Sequence, residues 1–245
     1  MTVEGDPTYE GLADEVLFRP VRNGNAFEDT VARLLQTIRL GIIAPGEALP
    51  AERDLAARFS VSRDTVREAI RSLSDAGYLV ARRGRYGGTF VSDTIPATVI
   101  GPDAAAPTTA EIADVLGLRD ILEVGAARAA AGRELSALER DLLWTRLKET
   151  ASASVADYRR LDSRLHLTIG EIVGTPSLVS LLADNRTRVN HLLDGIPLLP
   201  RNIAHSNEQH EAIVVAILTG NTERAAAAMT EHLAGSAALL RGFLS

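Results

Sequence analysis

The sequence predicts a mainly α-helical chain of two domains: a small N-terminal domain that ends in a β-hairpin, and a larger domain of about six helices. Apolar residues recur at helical spacing over most of the 245 residues. Alternation of apolar and polar residues, which is typical of paired strands, is confined to residues 78–92. Aromatic residues make up only 4% of the chain, so its cores must consist mainly of Leu, Ile, Val and Ala, which favours helices over a β-sandwich.

The composition excludes several classes of protein. Hydrophobic residues make up 46% of the chain, which is enough for a sizeable core, and the absence of cysteine excludes disulfides and thiolate zinc sites. The N-terminus has no basic region followed by an apolar run, and no stretch of about 18 apolar residues occurs, so neither a signal peptide nor a membrane span is predicted. We therefore expect a soluble cytoplasmic protein without a membrane partner.

Charge is unevenly distributed along the chain, whose net charge is −6. Residues 26–92 contain ten arginines against eight acidic residues, so this part carries a positive balance within an acidic protein. A locally positive domain favours contact with an anionic surface such as nucleic acid.

The first third of the chain divides into short elements. Residues 1–25 lack periodicity and are expected to form a flexible arm. A first helix begins at Ala26 and ends at Gly41, and a short helix covers residues 51–59.

A second short helix and a hairpin follow. Ser62 suits the N-cap of a helix over about 63–76, which Gly77 terminates. Residues 78–82 and 88–92 are the predicted strands, with a basic tip between them. Two helices joined by a tight turn and followed by a hairpin are the layout of a winged helix-turn-helix, which predicts a domain over residues 26–92.

Arginines give this domain a candidate DNA-binding surface. Arg63, Arg67 and Arg71 recur every four residues and share one stripe of a helix, so that helix can lie in a major groove while the hairpin tip reaches the minor groove. The alternative is an ordinary solvated face, in which these arginines pair with nearby acidic residues. The candidate DNA-binding residues are Arg53, Ser62, Arg63, Thr65, Arg67, Arg83 and Gly84.

The rest of the chain predicts a linker and a helical bundle. Residues 93–108 contain three prolines and no helical stripe, which indicates a linker, and residues 109–245 form the second predicted domain. Ser136 and Glu139 match a capping box. The six predicted helices lie near residues 109–132, 137–151, 154–173, 177–193, 199–219 and 222–241.

Four residues of the second domain stand at plausible metal-ligand positions. Asp162 and His166 are four residues apart and share a helix face, while His210 and His232 each border an inward-facing stripe on another helix. One carboxylate and three imidazoles suit a divalent metal ion such as Zn, Ni, Mn or Fe and leave coordination positions open. The spacing alone leaves open the alternative of ordinary surface or hydrogen-bonded histidines, which is the interpretation for His191 and His205.

Residues 41–91 resemble the GntR family of bacterial winged-helix regulators. The segments GIIAPGEALPAERDLAARFSVSRDTVREAIRSL and DAGYLVARRGRYGGTFV follow the pattern of that family closely. The resemblance implies a homodimer that binds a palindromic double-stranded DNA operator. It also implies DNA contacts by Arg53, Arg63, Thr65 and Arg67, and by Arg83 and Gly84 in the wing.

Residues 109–245 resemble the all-helical effector domain of the FadR subgroup, the FCD type, in the segments LGLRDILEVGAARAAA, LDSRLHLTI, EQHEAIVVAILTGN and AAAAMTEHL. The resemblance implies a metal held by Asp162, His166, His210 and His232. It implies that Arg119 faces an effector pocket, where it can clamp a carboxylate. Arg186 and Asn190 are further candidates for effector binding, with a surface salt bridge or a helix cap as the alternative.

These observations lead to one functional hypothesis and two alternatives. The hypothesis is a transcriptional repressor, not an enzyme, whose operator affinity is controlled by a small organic acid bound at the metal site. The first alternative is a regulator in which the metal itself is the effector. The second is a metal-dependent hydrolase, for which Glu171 would be a poorly directed general base.

Overall fold

A computed structural model of the chain describes residues 26–84, 87–96, 106–194, 196 and 198–244. The predicted arm over residues 1–25, the tip residues Arg85 and Tyr86, and residues 97–105 of the predicted linker lie outside this part of the chain. Within the described residues, none of the helices has the length and apolar character that crossing a bilayer requires.

The N-terminal elements form a compact unit, which we call the head. Its helices are α1 (Ala26–Arg39), α2 (Glu52–Phe59) and α3 (Arg63–Asp75), and its strands are β1 (Leu79–Arg82) and β2 (Gly88–Val91). The apolar sides of all five elements meet in one core, which includes Leu34, Leu55, Phe59, Val66 and Val91.

Local chemistry explains the boundaries of α3. The Ser62 hydroxyl accepts a hydrogen bond from the backbone N–H of Thr65 at 3.0 Å, which satisfies one of the free donors at the start of the helix. After the helix, Gly77 has a φ of +82°, a conformation that glycine adopts without strain. The chain therefore turns sharply from α3 into the hairpin.

The hairpin is antiparallel, in a register that pairs Leu79 with Val91 and Arg82 with Gly88. A third segment joins it: Ala48 forms a bridge with Phe90, and the backbone N–H of Leu49 donates to the carbonyl of Thr89 at 2.8 Å. The sequence analysis missed this segment, because two or three residues before a helix show no measurable alternation. The extra pairing fixes the wing against the start of α2.

Six helices follow, and we call them the bundle. They are α4 (Thr109–Ala131), α5 (Ala137–Ala151), α6 (Tyr158–Val173), α7 (Pro176–Asp194), α8 (Pro200–Leu218) and α9 (Thr222–Leu244). The predicted fold class, a winged helix-turn-helix followed by about six helices, is confirmed. Helix α4 is central, since it packs against α6, α7, α8 and α9.

Alanines make this central position possible. Ala126, Ala127, Ala130 and Ala131 of α4 are buried in the main core of the bundle, where small side chains let neighbouring helices approach closely. One residue of the head also belongs to this core: Leu40, just after α1, is 1% exposed. The head thus inserts Leu40 into the bundle core, against which half-buried Ile42 also packs, while the predicted boundaries at residues 92 and 109 remain predictions.

Candidate metal centre and nucleic-acid interface

Three helices bring one carboxylate and three imidazoles together in the bundle. Asp162 and His166 lie one turn apart on α6, His210 lies on α8, and His232 lies on α9. One ligand atom from each residue can be chosen so that all four lie within 4.8 Å of one another. The three histidines are buried, and the cluster is therefore shielded from bulk water.

The Nε2 atoms of the histidines point to a common centre. His210 Nε2 lies 3.2 Å from Asp162 Oδ1 and 3.3 Å from His232 Nε2, and His166 Nε2 lies 3.7 Å from Asp162 Oδ1. His166 Nε2 is buried and has no hydrogen-bond partner among the described residues. A buried nitrogen without a partner is costly unless something binds it, so the donor set fits a divalent metal ion.

Two further residues lie behind the imidazoles. Glu123 Oε2 of α4 is 2.5 Å from His166 Nδ1, and Gln209 Oε1 of α8 is 3.2 Å from His232 Nδ1. An acceptor at Nδ1 holds the proton there and leaves the Nε2 lone pair free for a metal. The sequence analysis missed both roles, because each contact joins two helices and has no signature in the spacing of residues.

Burial and neighbouring charges set the protonation of the cluster. Burial lowers the pKa of His166, and burial together with the facing imidazoles of His210 and His166 holds the pKa of His232 well below its ordinary value. Burial opposes ionisation of Asp162 and Glu123. The Arg186 guanidinium has the largest effect in favour of the ionised form of Asp162, and the His166 imidazole has the largest effect in favour of that of Glu123. Both carboxyls therefore have a pKa well below their usual range. Neutral imidazoles and ionised carboxylates are the forms that bind metals.

Two buried arginines balance the carboxylates. Arg119 Nε donates to Glu123 Oε1 at 3.1 Å, while Arg186 is in close contact with Asp162 Oδ2 and lies 3.4 Å from Glu123 Oε1. Two guanidinium groups and two carboxylates cancel in formal charge. A divalent ion bound here would therefore give the site a net positive charge, which favours an anionic ligand.

A cavity of about 80 Å³ adjoins the cluster. Its polar lining includes Arg119, Asp162, Asn190, His232 and Ser236, and its apolar lining includes leucines and isoleucines from the end of α7 and the start of α8. The Arg119 Nη1 atom donates to Ser236 Oγ at 2.7 Å. A charged group and an apolar wall in one small cavity suit a short organic acid.

The predicted DNA-binding residues of the head are exposed, except for Thr65, which is half-buried. Arg63 is exposed and has no ion pair or hydrogen bond among the described residues. Arg67 is also exposed, but it bonds Glu52 Oε2 and Asp64 Oδ1, both at 3.1 Å. Arg53, 81% exposed in its side chain, lies 3.2 Å from Asp54 Oδ1. Of the three arginines in the α3 stripe, Arg67 alone is paired with acidic residues within the described part of the chain.

Residues of the turn and the wing lie beside these arginines. Ser62 and Thr65 share a hydrogen bond of 2.8 Å between their hydroxyls, within the N-cap of α3. Arg83 and Gly84 are exposed at the hairpin tip, and Gly84 has a φ of +109°, which favours glycine. Arg82 is held differently, since its guanidinium lies 4.4 Å from the centre of the Phe90 ring.

Comparison with known proteins identifies the family. Residues 27–91 match the family described as bacterial regulatory proteins, gntR family, and residues 114–235 match the FCD domain. The HTH-type transcriptional repressor NanR of Salmonella schwarzengrund is 30% identical over 241 residues, a match that covers 94% of this chain and 89% of NanR. The chain belongs to the GntR family of bacterial regulatory proteins.

Other relatives agree with this assignment. The HTH-type transcriptional regulator LutR of Bacillus subtilis is 27% identical and matches over 84% of this chain and 97% of LutR. Among solved structures, Escherichia coli McbR/YncC is 17% identical, with a TM-score of 0.53 over 89% of this chain and 97% of that one, and shows the same fold. The GntR-family, FCD-type prediction is confirmed, whereas membership of the FadR subgroup stays a prediction.

The family decides between the functional alternatives at a coarse level. This GntR-family protein is a transcriptional regulator and not an enzyme, because its relatives are named as transcriptional regulators. The hydrolase alternative is therefore wrong. Glu171, its candidate base, is ion-paired with Arg164 at 2.9 Å.

The predicted effector residues of this GntR-family regulator occupy different places. Arg119 and Asn190 line the cavity, as an effector contact requires. Arg186 is completely buried against the carboxylates of Asp162 and Glu123 and is not among the residues that line it. Arg119 therefore lies at the cavity, whereas Arg186 lies against the carboxylates of Asp162 and Glu123.

Proposed function

We propose that this regulator binds a palindromic operator as a homodimer and that a small organic acid, bound at a metal ion in the bundle, controls its DNA affinity. One observation carries the proposal. The side chains of Asp162, His166, His210 and His232 converge next to a cavity that also contains Arg119.

The metal would be held by the four converging side chains. The predicted ions are Zn, Ni, Mn or Fe, since imidazole and carboxylate ligands suit all four. The bound ion would supply positive charge and open positions for an oxygen ligand. Glu123 and Gln209 hold the Nδ1 atoms of two ligands, so this chain presents their Nε2 atoms to the ion with little reorganisation.

The effector would be a short carboxylate. Charges around the cluster cancel without the metal, so its addition makes an anion the favoured ligand. Arg119, which is fixed by Glu123 and Ser236, supplies donors to one carboxylate oxygen or both. A cavity of about 80 Å³ with an apolar wall suits an acid of a few carbon atoms.

The DNA contacts would be made by the exposed surface of the head. Arg63, near the start of α3 and free of partners among the described residues, would bind a guanine edge in the major groove. Arg67 would exchange its carboxylate partners for DNA, while Arg53, Ser62 and Thr65 would contact phosphates or base edges. Arg83 and Gly84 would bring the wing to the minor groove.

The direction of control is proposed to be repression that the acid relieves. The relative NanR is named a repressor. The acid changes the population of the DNA-binding conformation only if it binds two arrangements of the heads with different affinity.

The decisive experiment titrates DNA binding against metal and acid. An operator is first selected from random duplex DNA with the purified full-length protein. Its affinity is then measured with chelator, with Zn²⁺, and with Zn²⁺ plus acetate, L-lactate or N-acetylneuraminate. A response to the short acids that requires Zn²⁺ supports the proposal, a response to Zn²⁺ alone supports the metal-sensor alternative, and no response contradicts both.

The metal ligands are tested separately by substitution. We expect His210→Ala to abolish stoichiometric metal in the purified protein, because a buried ligand is lost without replacement. His191→Ala is the control, since His191 is exposed on α7 and away from the cluster. Elemental analysis measures both variants, and metal retained at one ion per chain in His210→Ala would show that the ligand set is wrong.

A further inference from the structure

The head contacts α6, which carries Asp162 and His166 of the metal cluster, and α7, whose Arg186 contacts Asp162. After α1, Leu40 is buried in the bundle core, and Gly41 lies against α6 so closely that a Cβ atom there would be 3.0 Å from Arg160 Cγ. Arg160 precedes Asp162 by two residues. The C-terminal end of α1 is thus anchored beside the cluster by apolar packing.

One turn earlier, a polar contact joins α1 to α7. The Gln36 side-chain amide donates to Asp184 Oδ1 and to Thr187 Oγ1, both at 3.1 Å. Arg33 supports it, with Nη1 lying 3.2 Å from Gln36 Oε1 and 3.5 Å from Asp184 Oδ1. The Asp184 side chain is 49% exposed, so water can replace its contacts at small cost, which is not true of buried Leu40.

Helix α7 carries this contact on one face and Arg186, which contacts Asp162 of the cluster, on another. Asp184 and Arg186 are two residues apart, about 200° around the helix. Arg186, fully buried, contacts Asp162 and Glu123, whereas Asp184 reaches out to the head. A shift of α7 as a rigid helix at Arg186 would therefore also move Asp184 and Thr187.

We propose that Gln36 is the positioning residue through which α7 transmits the state of the metal cluster to the DNA-reading head. This inference rests on the proposed function, because it needs a metal at Asp162. Metal binding at Asp162 changes the surroundings of the Asp162–Arg186 pair and shifts α7. The hydrogen bonds from Gln36 to Asp184 and Thr187 then rearrange. Since α1 packs directly on α3, a pivot of α1 about Leu40 changes the posture of the recognition helix.

The test uses hydrogen exchange in the full-length protein, with Zn²⁺ or chelator as the only variable. In the wild type, Zn²⁺ is expected to change deuterium uptake over residues 26–40. Gln36→Ala, which removes both hydrogen bonds, should reduce that change by more than half, and Thr187→Val, which removes one of them, should reduce it by a smaller amount. Both should keep one Zn²⁺ per chain, because neither residue belongs to the cluster.

Arg188→Ala is the matched control. Arg188 is also exposed on α7, but it pairs with Asp114 of α4 at 2.7 Å and does not contact the head, so the response should persist. A Zn²⁺ response unchanged in both contact variants would overturn the inference, as would a wild type that binds Zn²⁺ without any change over residues 26–40. A wild type that binds no Zn²⁺ would instead remove the proposed metal site, and this inference with it.

Discussion

At the scale of single residues, the three imidazoles of the cluster differ in what lies behind them. The Glu123 carboxylate lies at ion-pair distance from His166 Nδ1, and Gln209 Oε1 lies at hydrogen-bond distance from His232 Nδ1, whereas the buried Nδ1 atom of His210 has no hydrogen-bond partner among the described residues. An acceptor therefore faces the Nδ1 atom of two of the proposed ligands, which favours the tautomer that leaves Nε2 free for a metal, whereas His210 is positioned through its Nε2 contacts with Asp162 and His232.

Gln209 gives a direct test of this difference. We expect Gln209→Leu to weaken Zn²⁺ binding by roughly 10–100-fold, because loss of the acceptor frees the tautomer and ring orientation of His232. A competitive chelator titration measures the affinity. The thermal midpoint of the metal-free protein reports any unrelated damage to the fold.

Gln209→Glu is the conservative control, since a carboxylate also accepts from His232 Nδ1 and should keep the affinity. Gln209 also lies 3.1 Å from exposed His205, which is not a ligand, so His205→Ala should change Zn²⁺ binding little. Equal affinities in the Leu and Glu variants would contradict this role for Gln209.

Arg63 is the residue on which sequence readout of DNA should depend most. Because it has no internal partner to lose among the described residues, Arg63→Ala should cost about 1–3 kcal/mol of specific operator binding. Arg128→Ala is matched in charge but lies on α4, paired with Glu223, and should leave specificity unchanged. Fluorescence anisotropy with the selected operator and a scrambled duplex measures both, and equal losses would show that Arg63 contributes only charge.

The sequence predicts part of this site and not the rest. Asp162 and His166 are predictable because one helix fixes their separation. His210 and His232 are predictable as ligands only from the inward-facing stripes together with the family resemblance. Glu123 and Gln209 meet their imidazoles across helix pairs. Such contacts depend on how helices cross, which no periodicity along the chain encodes.

At the scale of elements, helix starts follow from short polar motifs. The predicted capping box of Ser136 and Glu139 is present at α5, and an equivalent box of Thr108 and Glu111, within the predicted linker, begins α4. The prediction for α6 was wrong by four residues. Ser154 Oγ donates to Asp157 Oδ2 at 2.7 Å, a local turn that delays the helix until Tyr158.

The α5 capping box predicts a pH-dependent stability. Burial opposes ionisation of Glu139, but hydrogen bonds from the Ser136 backbone and hydroxyl, with Arg133, lower its pKa. A lowered folded-state pKa stabilises the fold above the unfolded pKa, and this stabilisation is lost as pH falls through the folded value. Ser136→Ala should therefore cost about 1 kcal/mol at neutral pH and less in acid.

Chemical denaturation at several pH values checks this expectation. Ser152→Ala is the control at the other end of α5, where the hydroxyl donates only to backbone carbonyls, those of Lys148 and Glu149, and its small effect should not vary with pH. A Ser136→Ala effect that grows in acid would contradict the assigned direction.

At the scale of the whole molecule, the two units share a core residue. Leu40→Ala should lower the free energy of unfolding of the bundle by about 2–5 kcal/mol, because its side chain fills space among bundle residues. The control is Leu181→Ala on α7, a leucine that is 49% exposed and should cost far less. Denaturant titrations compare the two, and equal small losses would show that Leu40 is not part of the bundle core.

The sequence did not predict this connection, since Leu40 continues the apolar spacing of the first helix and Gly41 indicates an ordinary helix end. The linker over residues 93–108 was expected to be the main junction. Only the packing shows that the chain enters the bundle at Leu40, 53 residues before the predicted linker begins at residue 93.

This placement has a consequence for the modularity of the protein. Dividing the gene between the hairpin and α4 would yield a head with Leu40 exposed to solvent and a bundle with a cavity at the position of Leu40. Neither piece would be transferable intact to a chimera. A DNA-binding domain exchanged between such regulators would therefore need the complementary packing surface of its own bundle, so the two domains should coevolve.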